Sequence, residues 1–388
     1  MTAIVPNEAR EIGWRERWIG WRNRIIATPA FQRWAAESIF TKFVARRRAR
    51  ALFDICAGFV YSQVLLACVR LRLFDMLARG PLPLDVLAER FDMSRDSAER
   101  LLKAAVALQL LRSLPGDRYA LGDLGASMLG NPSIADFVEH HTILYQDLSD
   151  PLALLRGQKE TQLSKFWPYA EDKPGSAKPR PQDIAPDLQA YADYSALMAS
   201  SQALIADDIL AAYPLGKHKR LLDVGGGEGA FIEAAARANP NLQFELFDLP
   251  PVAAQARARF SRLSLYKRVN VTGGSFLQDP LPTGADVISF VRIIHDHDDE
   301  SVEVMLRAAY NALPPGGTLL LAEPMAEAPG AEPVGDAYFG FYLLAMGRGR
   351  ARSASDLARL MESAGFTAVR SCPTRRPLLT SLIIGHRV

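Results

Sequence analysis

The run Leu221-Leu222-Asp223-Val224-Gly225-Gly226-Gly227-Glu228-Gly229 constrains this chain more than any other. Its mostly apolar start reads as a buried strand. The glycines after it allow a tight turn that brings backbone N–H groups close to a ligand before a helix opens at Ala230. From Lys219 onward strands and helices alternate, which predicts an α/β domain with a mostly parallel sheet covered on both faces. Strands are expected at Leu221 to Val224, Phe244 to Phe247, Val269 to Thr272, Val287 to Val291, Thr318 to Ala322, Ala368 to Ser371 and Leu382 to Ile384. The main helices between them are expected at Ala230 to Ala238, Glu300 to Leu313 and Ala354 to Ala364.

The spacing within the loop is Gly-x-Gly-x-Gly-Ala, so the third glycine comes one residue early for a dinucleotide fingerprint. Charge gives a second discriminator. Asp223 and Glu228 flank the loop and offer a pyrophosphate a poor field, whereas the ammonium and sulfonium of S-adenosylmethionine are cations that acids favour. Asp248 ends the next strand, where α/β nucleotide folds present a carboxylate to ribose hydroxyls. A glycine turn or a strand-end aspartate alone is often purely structural. Together and in order they point to a bound S-adenosylmethionine.

These segments, with Gly273-Gly274-Ser275-Phe276, Ile293-Ile294-His295-Asp296, Asp299-Glu300 and Ala322-Glu323-Pro324, resemble the small-molecule O-methyltransferases of the plant caffeate and acetylserotonin type. The likeness runs over roughly residues 50 to 388. It implies a Rossmann-like class I methyltransferase domain with a seven-stranded sheet, preceded by a winged-helix dimerisation domain, in a homodimer. It also implies a cofactor set of Asp223, Gly225, Gly227, Asp248, Leu249, Ser275, Phe276 and Arg292. Within that set Gly225 would meet the methionine part, Asp248 the ribose, and Ser275 and Phe276 the adenine, with Arg292 helping to cover it. Many members carry Asp where this chain has Ser275. Gly58 to Leu65, Phe166-Trp167-Pro168-Tyr169-Ala170 and Ala345 to Arg350 are similar more narrowly to bacterial carotenoid O-methyltransferases, which methylate the 1-hydroxyl of hydroxyneurosporene and demethylspheroidene.

Methyl transfer to oxygen is an in-line displacement at a sulfonium, so a base must stand where the hydroxyl proton leaves. His295 follows the strand Val287 to Val291 and so sits at the carboxyl end of the sheet, where open α/β folds bind ligands. An unperturbed imidazole is largely neutral at pH 7, and either Asp296 or Glu323 is placed to steer its tautomer. The rival reading gives His295, Asp296, His297, Asp298 and Asp299 to a metal. Five consecutive residues cannot all point at one ion, so no metal is expected. Asp298 and Asp299 read instead as the cap and first-turn acid of the following helix, and His297 as a loop residue. Plant members carry a second Glu before an Arg-Thr pair; here Ala351 precedes Arg352-Ser353, leaving Glu323 as the matched glutamate.

Tyr338 to Met346 carries no charge, and a helix would put Phe339, Tyr342 and Met346 on one face. Such a stripe is core or acceptor pocket. As a pocket it suits a lipophilic small molecule, a carotenoid above all, with a phenolic or polyketide acceptor as the alternative.

The N-terminal half reads as helices followed by a short hairpin. A long apolar helix is expected to end near Arg79-Gly80, a second runs from Leu84 to Phe91, and a third, capped by Ser94, runs to Leu111. Arg112 to Leu114, a Pro115-Gly116-Asp117 turn and Tyr119 to Leu121 complete a winged-helix pattern. That pattern raises a cofactor-binding DNA regulator as the alternative of another class. The third helix opens with Asp96 and Glu99, which repel phosphate, so nucleic acid is not an expected partner. The run Ile55 to Val69 is too short for a membrane span and is expected to be a buried helix. Cys56, Cys68 and Cys372 are expected to be reduced core residues of a cytoplasmic protein without a secretory signal.

Residues 1 to 50 hold eleven Lys and Arg against four Glu, a net charge near +7 on a chain whose total is +2. Trp14, Trp18 and Trp21 recur there at helical spacing. The stripe suits packing on the protein's own body or a partner subunit, or peripheral contact with the inner face of a membrane. The domain plan is then a Trp/Arg-rich extension over 1 to 50, a winged-helix dimerisation domain over 51 to 135, a helical connector over 136 to 205 with an exposed loop from Asp172 to Pro186, and the cofactor domain over 206 to 388. A helix from Leu188 to Tyr213 is expected to deliver the chain to that last domain.

Overall fold

The computed structural model describes residues 13–166, 202 and 204–388. The Trp167 to Ala170 segment, the loop from Asp172 to Pro186 and the start of the helix expected from Leu188 lie outside these residues. The chain divides into two compact units, Met1–Ala126 and Ser127–Val388.

The first unit opens with α1 (Trp14–Ala27), α2 (Pro29–Glu37) and α3 (Lys42–Arg70). Helix α3 stops earlier than the sequence suggested, because the chain turns through Arg72 with a left-handed φ of 52° before the short α4 (Leu73–Leu77). Nor is α3 a buried helix in the single chain. Only Leu66 and Cys68 are buried in it, while Phe53, Ile55 and Phe59 are largely exposed. Local pattern reported a helix; it carried no information about what covers it. Cys56 is likewise exposed rather than core, whereas Cys68 and Cys372 are buried.

After β1 (Leu82–Pro83) come α5 (Leu84–Arg90) and α6 (Arg95–Ala107), the latter capped by Ser94, whose Oγ accepts the Ser97 N–H at 3.2 Å. Strands β2 (Leu111–Leu114) and β3 (Arg118–Leu121) form the expected hairpin. The two-residue β1 joins it, antiparallel to β3 through Leu82 and Tyr119, to make a three-stranded wing. Residues from the helices and the wing, among them Leu73, Leu84, Leu87, Leu102 and Leu111, are buried. Helix α7 (Asp123–Leu129) carries the chain into the second unit.

There α8 (Pro132–Asp147), α9 (Pro151–Leu155) and α10 (Gln162–Phe166) precede a helical stretch over 204–212 and the sheet. The seven strands are β4 (Arg220–Val224), β5 (Gln243–Asp248), β6 (Val269–Gly273), β7 (Val287–Val291), β8 (Thr318–Glu323), β9 (Thr367–Cys372) and β10 (Ser381–His386), in the spatial order β6-β5-β4-β7-β8-β10-β9. Every expected strand is present. The first five positions are parallel, and β10 inserts antiparallel between β8 and β9.

Side-chain alternation along the strands fills two separate cores. Leu221, Val287 and Leu320 bury on one face with Phe231 and Phe260, which come from α11 (Ala230–Ala238) and α12 (Pro250–Arg262). Leu222, Ile288 and Leu319 bury on the other with Met305 and Leu357, from α13 (Asp299–Ala312) and α15 (Ala354–Ser363). Between α13 and α15 lies α14 (Gly340–Met346), which continues a π-helical turn over Pro333–Phe339. Tyr338 and Tyr342, four residues apart, fall on one face and stack in a single aromatic group.

Candidate active site

Strand β4 lies between β5 and β7, so successive strands leave it in opposite directions and open a crevice at its carboxyl end. The glycine loop fills that crevice. Gly225, Gly227 and Gly229 have φ of 69°, 58° and 81°, a region costly for residues with a Cβ. At Gly225 space is also decisive, since a Cβ there would stand 2.6 Å from Ile293 Cδ1.

Asp223, the penultimate residue of β4, is buried. Its Oδ1 accepts from Ser289 Oγ at 2.6 Å, but Oδ2 has no hydrogen-bond partner among the described residues. Burial pushes its carboxyl up to about 7. Asp248 at the end of β5 is better satisfied, accepting the Gly227 N–H at 2.8 Å and the Leu249 N–H at 2.7 Å on separate oxygens. Burial pushes it up to about 6, against the pull of those two N–H groups. Each oxygen retains a further lone pair for a hydroxyl donor. A buried acid with one unpartnered oxygen, a carboxylate with spare acceptors and a Cβ-free cradle fit a ligand bearing an ammonium and a diol, as S-adenosylmethionine does.

Ser275 is held in a local turn: its N–H donates to Asp279 Oδ2 at 2.9 Å and its Oγ accepts the Leu277 N–H at 3.3 Å. Phe276 stands edge-on to His297, with ring centroids 5.3 Å apart. Arg292 adopts a left-handed φ of 58° and donates its N–H to the Ala322 carbonyl, so the loop after β7 stays tied to β8.

That loop carries His295, which is buried. Its Nδ1 lies 2.5 Å from Glu323 Oε2 and its Nε2 lies 3.0 Å from Asp296 Oδ1. The two carboxylates open as alternatives in the sequence therefore both engage the ring. Glu323 does more, since its Oε1 accepts the N–H groups of Ile293 and Ile294 at 3.0 and 2.8 Å. Burial alone would depress the imidazole, but Asp296 and Glu323 outweigh it and hold His295 above its ordinary range. Burial pushes Asp296 up to about 6, with His295 pulling the other way.

Asp298 occupies the cap position of α13, but its side chain makes no cap bond; Oδ1 accepts the Gly349 N–H at 3.2 Å instead. Asp299 is the first-turn acid as expected, and it also pairs with Arg352, a residue the sequence reading did not assign to the site. Arg352 is buried and donates to the carbonyls of Ile294 at 2.9 Å and His297 at 2.7 Å, on either side of His295. Ala351 packs against the buried cluster that includes Tyr342, Leu343 and Met346. Phe339 approaches the His295 ring edge-on at 5.8 Å, while Tyr342 and Met346 are buried in the cluster that includes Leu144, Leu154 and Leu163. Among the described residues there is no cluster of His, Cys, Asp and Glu able to hold a metal ion.

A family model described as an O-methyltransferase domain matches residues 145–367, and one described as an O-methyltransferase dimerisation domain matches 53–131. The chain belongs to the O-methyltransferase family. As a member it is an S-adenosylmethionine-dependent enzyme, and its dimerisation domain supports a homodimer. This O-methyltransferase is 40% identical over 364 residues to a demethylspheroidene O-methyltransferase of Cereibacter sphaeroides, covering 94% of each chain. It is 43% identical over 349 residues to the protein of the same name from Rhodobacter capsulatus, covering 89% of this chain and 84% of that one. Among solved structures, an apo S-adenosylmethionine-dependent methyltransferase, SibL, superposes with a TM-score of 0.73 at 26% identity over 87% of this chain and 98% of its own.

Proposed function

We propose that this enzyme transfers the methyl group of S-adenosylmethionine to a hydroxyl of a lipophilic molecule, the 1-hydroxyl of an acyclic carotenoid such as hydroxyneurosporene or demethylspheroidene. The observation that carries the acceptor is identity of 40% and 43% to two demethylspheroidene O-methyltransferases over nearly the whole chain. The uncharged segment from Tyr338 to Met346, whose Phe339 stands edge-on to His295, agrees with it.

Bound S-adenosylmethionine supplies an electrophilic methyl on a sulfonium. Asp223 would receive its ammonium, Asp248 and the Leu249 N–H side of the loop its ribose, and Gly225 and Gly227 its approach, with Ser275, Phe276 and Arg292 around the adenine. His295 takes the acceptor proton at Nε2, which first parts from Asp296, while Glu323 fixes the ring through Nδ1. An aliphatic hydroxyl is far more basic than a phenol, so its proton leaves late in the transition state and orientation contributes most of the rate. Phe339, Tyr342 and Met346 would line the acceptor side.

The N-terminal arm supports a peripheral meeting with a membrane, where such an acceptor dissolves. Trp14, Trp18 and Trp21 are 70%, 52% and 57% exposed, and Arg15 and Arg22 sit over the rings of Trp14 and Trp18. Helix α3 is also long and apolar enough to cross a membrane by length and composition, but its exposed Phe53, Ile55 and Phe59 fall within the matched dimerisation domain.

Incubation with labelled S-adenosylmethionine and a panel of hydroxycarotenoids and phenols tests the acceptor. Label in a 1-hydroxycarotenoid is expected; label only in phenols would replace the carotenoid reading. For the arm, removal of residues 1–45 should abolish flotation with anionic liposomes, and unchanged flotation would end the membrane reading.

A further inference from the structure

Helix α8 carries two adjacent histidines that no expectation from the sequence had placed near the site. His140 Nε2 lies 2.8 Å from the Tyr342 hydroxyl, and His141 Nε2 lies 2.9 Å from the Tyr338 hydroxyl. Neighbouring helical positions diverge by about 100°. Both histidines nonetheless find partners, because the two tyrosine rings stack, with centroids 5.8 Å apart and an angle of 27°.

Each pair is neutral. Burial pushes His141 down to about 4, with His140 adding to the effect, and it also lowers His140. Burial raises both tyrosines well above their ordinary range. The pairs connect to the reacting centre through Phe339, whose centroid is 5.1 Å from Tyr338, 6.2 Å from Tyr342 and 5.8 Å from His295. Phe137 closes the group from behind, 4.4 Å from His141 and 5.6 Å from Tyr338.

We infer that the His140–Tyr342 and His141–Tyr338 pairs form an acceptor-selecting wall, which engages both phenolic hydroxyls within the protein and presents uncharged rings to a neutral, polarizable hydrocarbon acceptor. Stacked rings bury a conjugated chain well, whereas the four paired side chains carry no charge to replace the lost hydration of a carboxylate, and Arg292, whose charge reaches both tyrosines, is assigned above to the adenine side. This inference rests on the acceptor reading proposed above, and it adds the residues that enforce that choice.

The test compares His141→Leu, Tyr338→Phe and the double variant, with the matching set at His140 and Tyr342, in the full-length dimer. Each is assayed with a neutral polyene alcohol and a carboxylate-bearing alcohol of similar length. His141→Leu strands a partly buried hydroxyl, so its KM for the neutral acceptor should rise about tenfold, with kcat within about threefold. Donor affinity, measured with S-adenosylhomocysteine, should not move. The double variant lacks both polar groups but keeps the ring, and should recover most of the KM. If His141→Leu does not fold, His141→Gln retains a hydrogen-bonding group and should raise KM less than Tyr338→Ala does. Unchanged acceptor KM in every variant overturns the wall, as does wild-type enzyme that uses both alcohols equally. Wild-type turnover confined to phenols fails the acceptor reading instead, and the same KM comparison made on the phenol then judges the wall separately.

Discussion

Glu323 holds His295 with one oxygen and the loop before it with the other. Oε2 lies 2.5 Å from the ring Nδ1, and Oε1 accepts the N–H groups of Ile293 and Ile294. A carboxylate here requires Nδ1 to carry the proton, which leaves Nε2 as the basic nitrogen once it is free of imidazolium character. In Glu323→Gln the amide oxygen can still serve the backbone, but the NH2 group would face Nδ1 and favour the wrong tautomer. We expect kcat to fall by about 10² to 10⁴. S-adenosylhomocysteine affinity, measured by calorimetry, should stay near wild type; a near-normal kcat would remove the tautomer role.

The same charges set the pH dependence. Asp296 and Glu323 stabilise the imidazolium and hold His295 above its ordinary range despite burial. A base works in its neutral form, so kcat/KM should climb with pH along a limb displaced upward from about 6.5. Stability runs the other way. The contribution of a raised histidine is complete below the unfolded pKa and is lost as pH rises through the folded one. Asp296→Asn removes one carboxylate and should move the ascending limb to lower pH. A limb that stays in place would show that Asp296 does not act on the ring.

Much of this was legible in the sequence, for physical reasons that differ by element. The central strands are buried on both faces, so β4, β7 and β8 appear as short apolar runs between glycine and proline signals, and all seven strands were found. The antiparallel entry of β10 between β8 and β9 was not legible, because strand order is a tertiary choice that leaves no local pattern. His295 could be found from its place after β7. His140 and His141 could not, since their tyrosine partners lie 202 and 197 residues along the chain. Arg352 was seen only as a position beside Ala351; its role depends on carbonyls exposed by the loop's path. The exposure of α3 was missed because periodicity reports a helix and says nothing about its cover.

Asp223 should trade stability for donor binding. Burial raises its carboxyl to about 7 and its Oδ2 has no partner among the described residues, so ionising it without a ligand is costly. For an acid raised in the folded state, the folded chain binds the proton more tightly, and stability declines as pH rises from about 4 to about 7. A cationic ligand group prefers the ionised form, so S-adenosylmethionine should bind more weakly as pH falls from 8 to 6. Asp223→Asn should raise the ligand-free Tm at pH 8 by several degrees, corresponding to about 1–3 kcal/mol, and weaken donor binding at least about tenfold. Lower Tm with intact donor affinity would place Asp223 in the scaffold alone.

Arg352 ties the loop around His295 to the rest of the fold without touching the ring. The guanidinium spans the carbonyls of Ile294 and His297, and both Nε and Nη2 reach Asp299 Oδ1, at 2.9 and 2.7 Å. The neighbouring backbone adds to the clamp, with Arg350 donating its N–H to the His295 carbonyl at 2.9 Å. Lysine keeps the charge but cannot reproduce a planar fork reaching three groups. Arg352→Lys should cost about 2–3 kcal/mol in urea unfolding and reduce kcat, while leaving the order of acceptor preference unchanged. Asp299→Asn should cost less, because that carboxylate is 43% exposed and the two carbonyls would still hold the guanidinium. If Arg352→Lys is destabilised but turns over at the wild-type rate, the loop geometry around His295 is set by Glu323 alone, and the clamp contributes stability without catalysis.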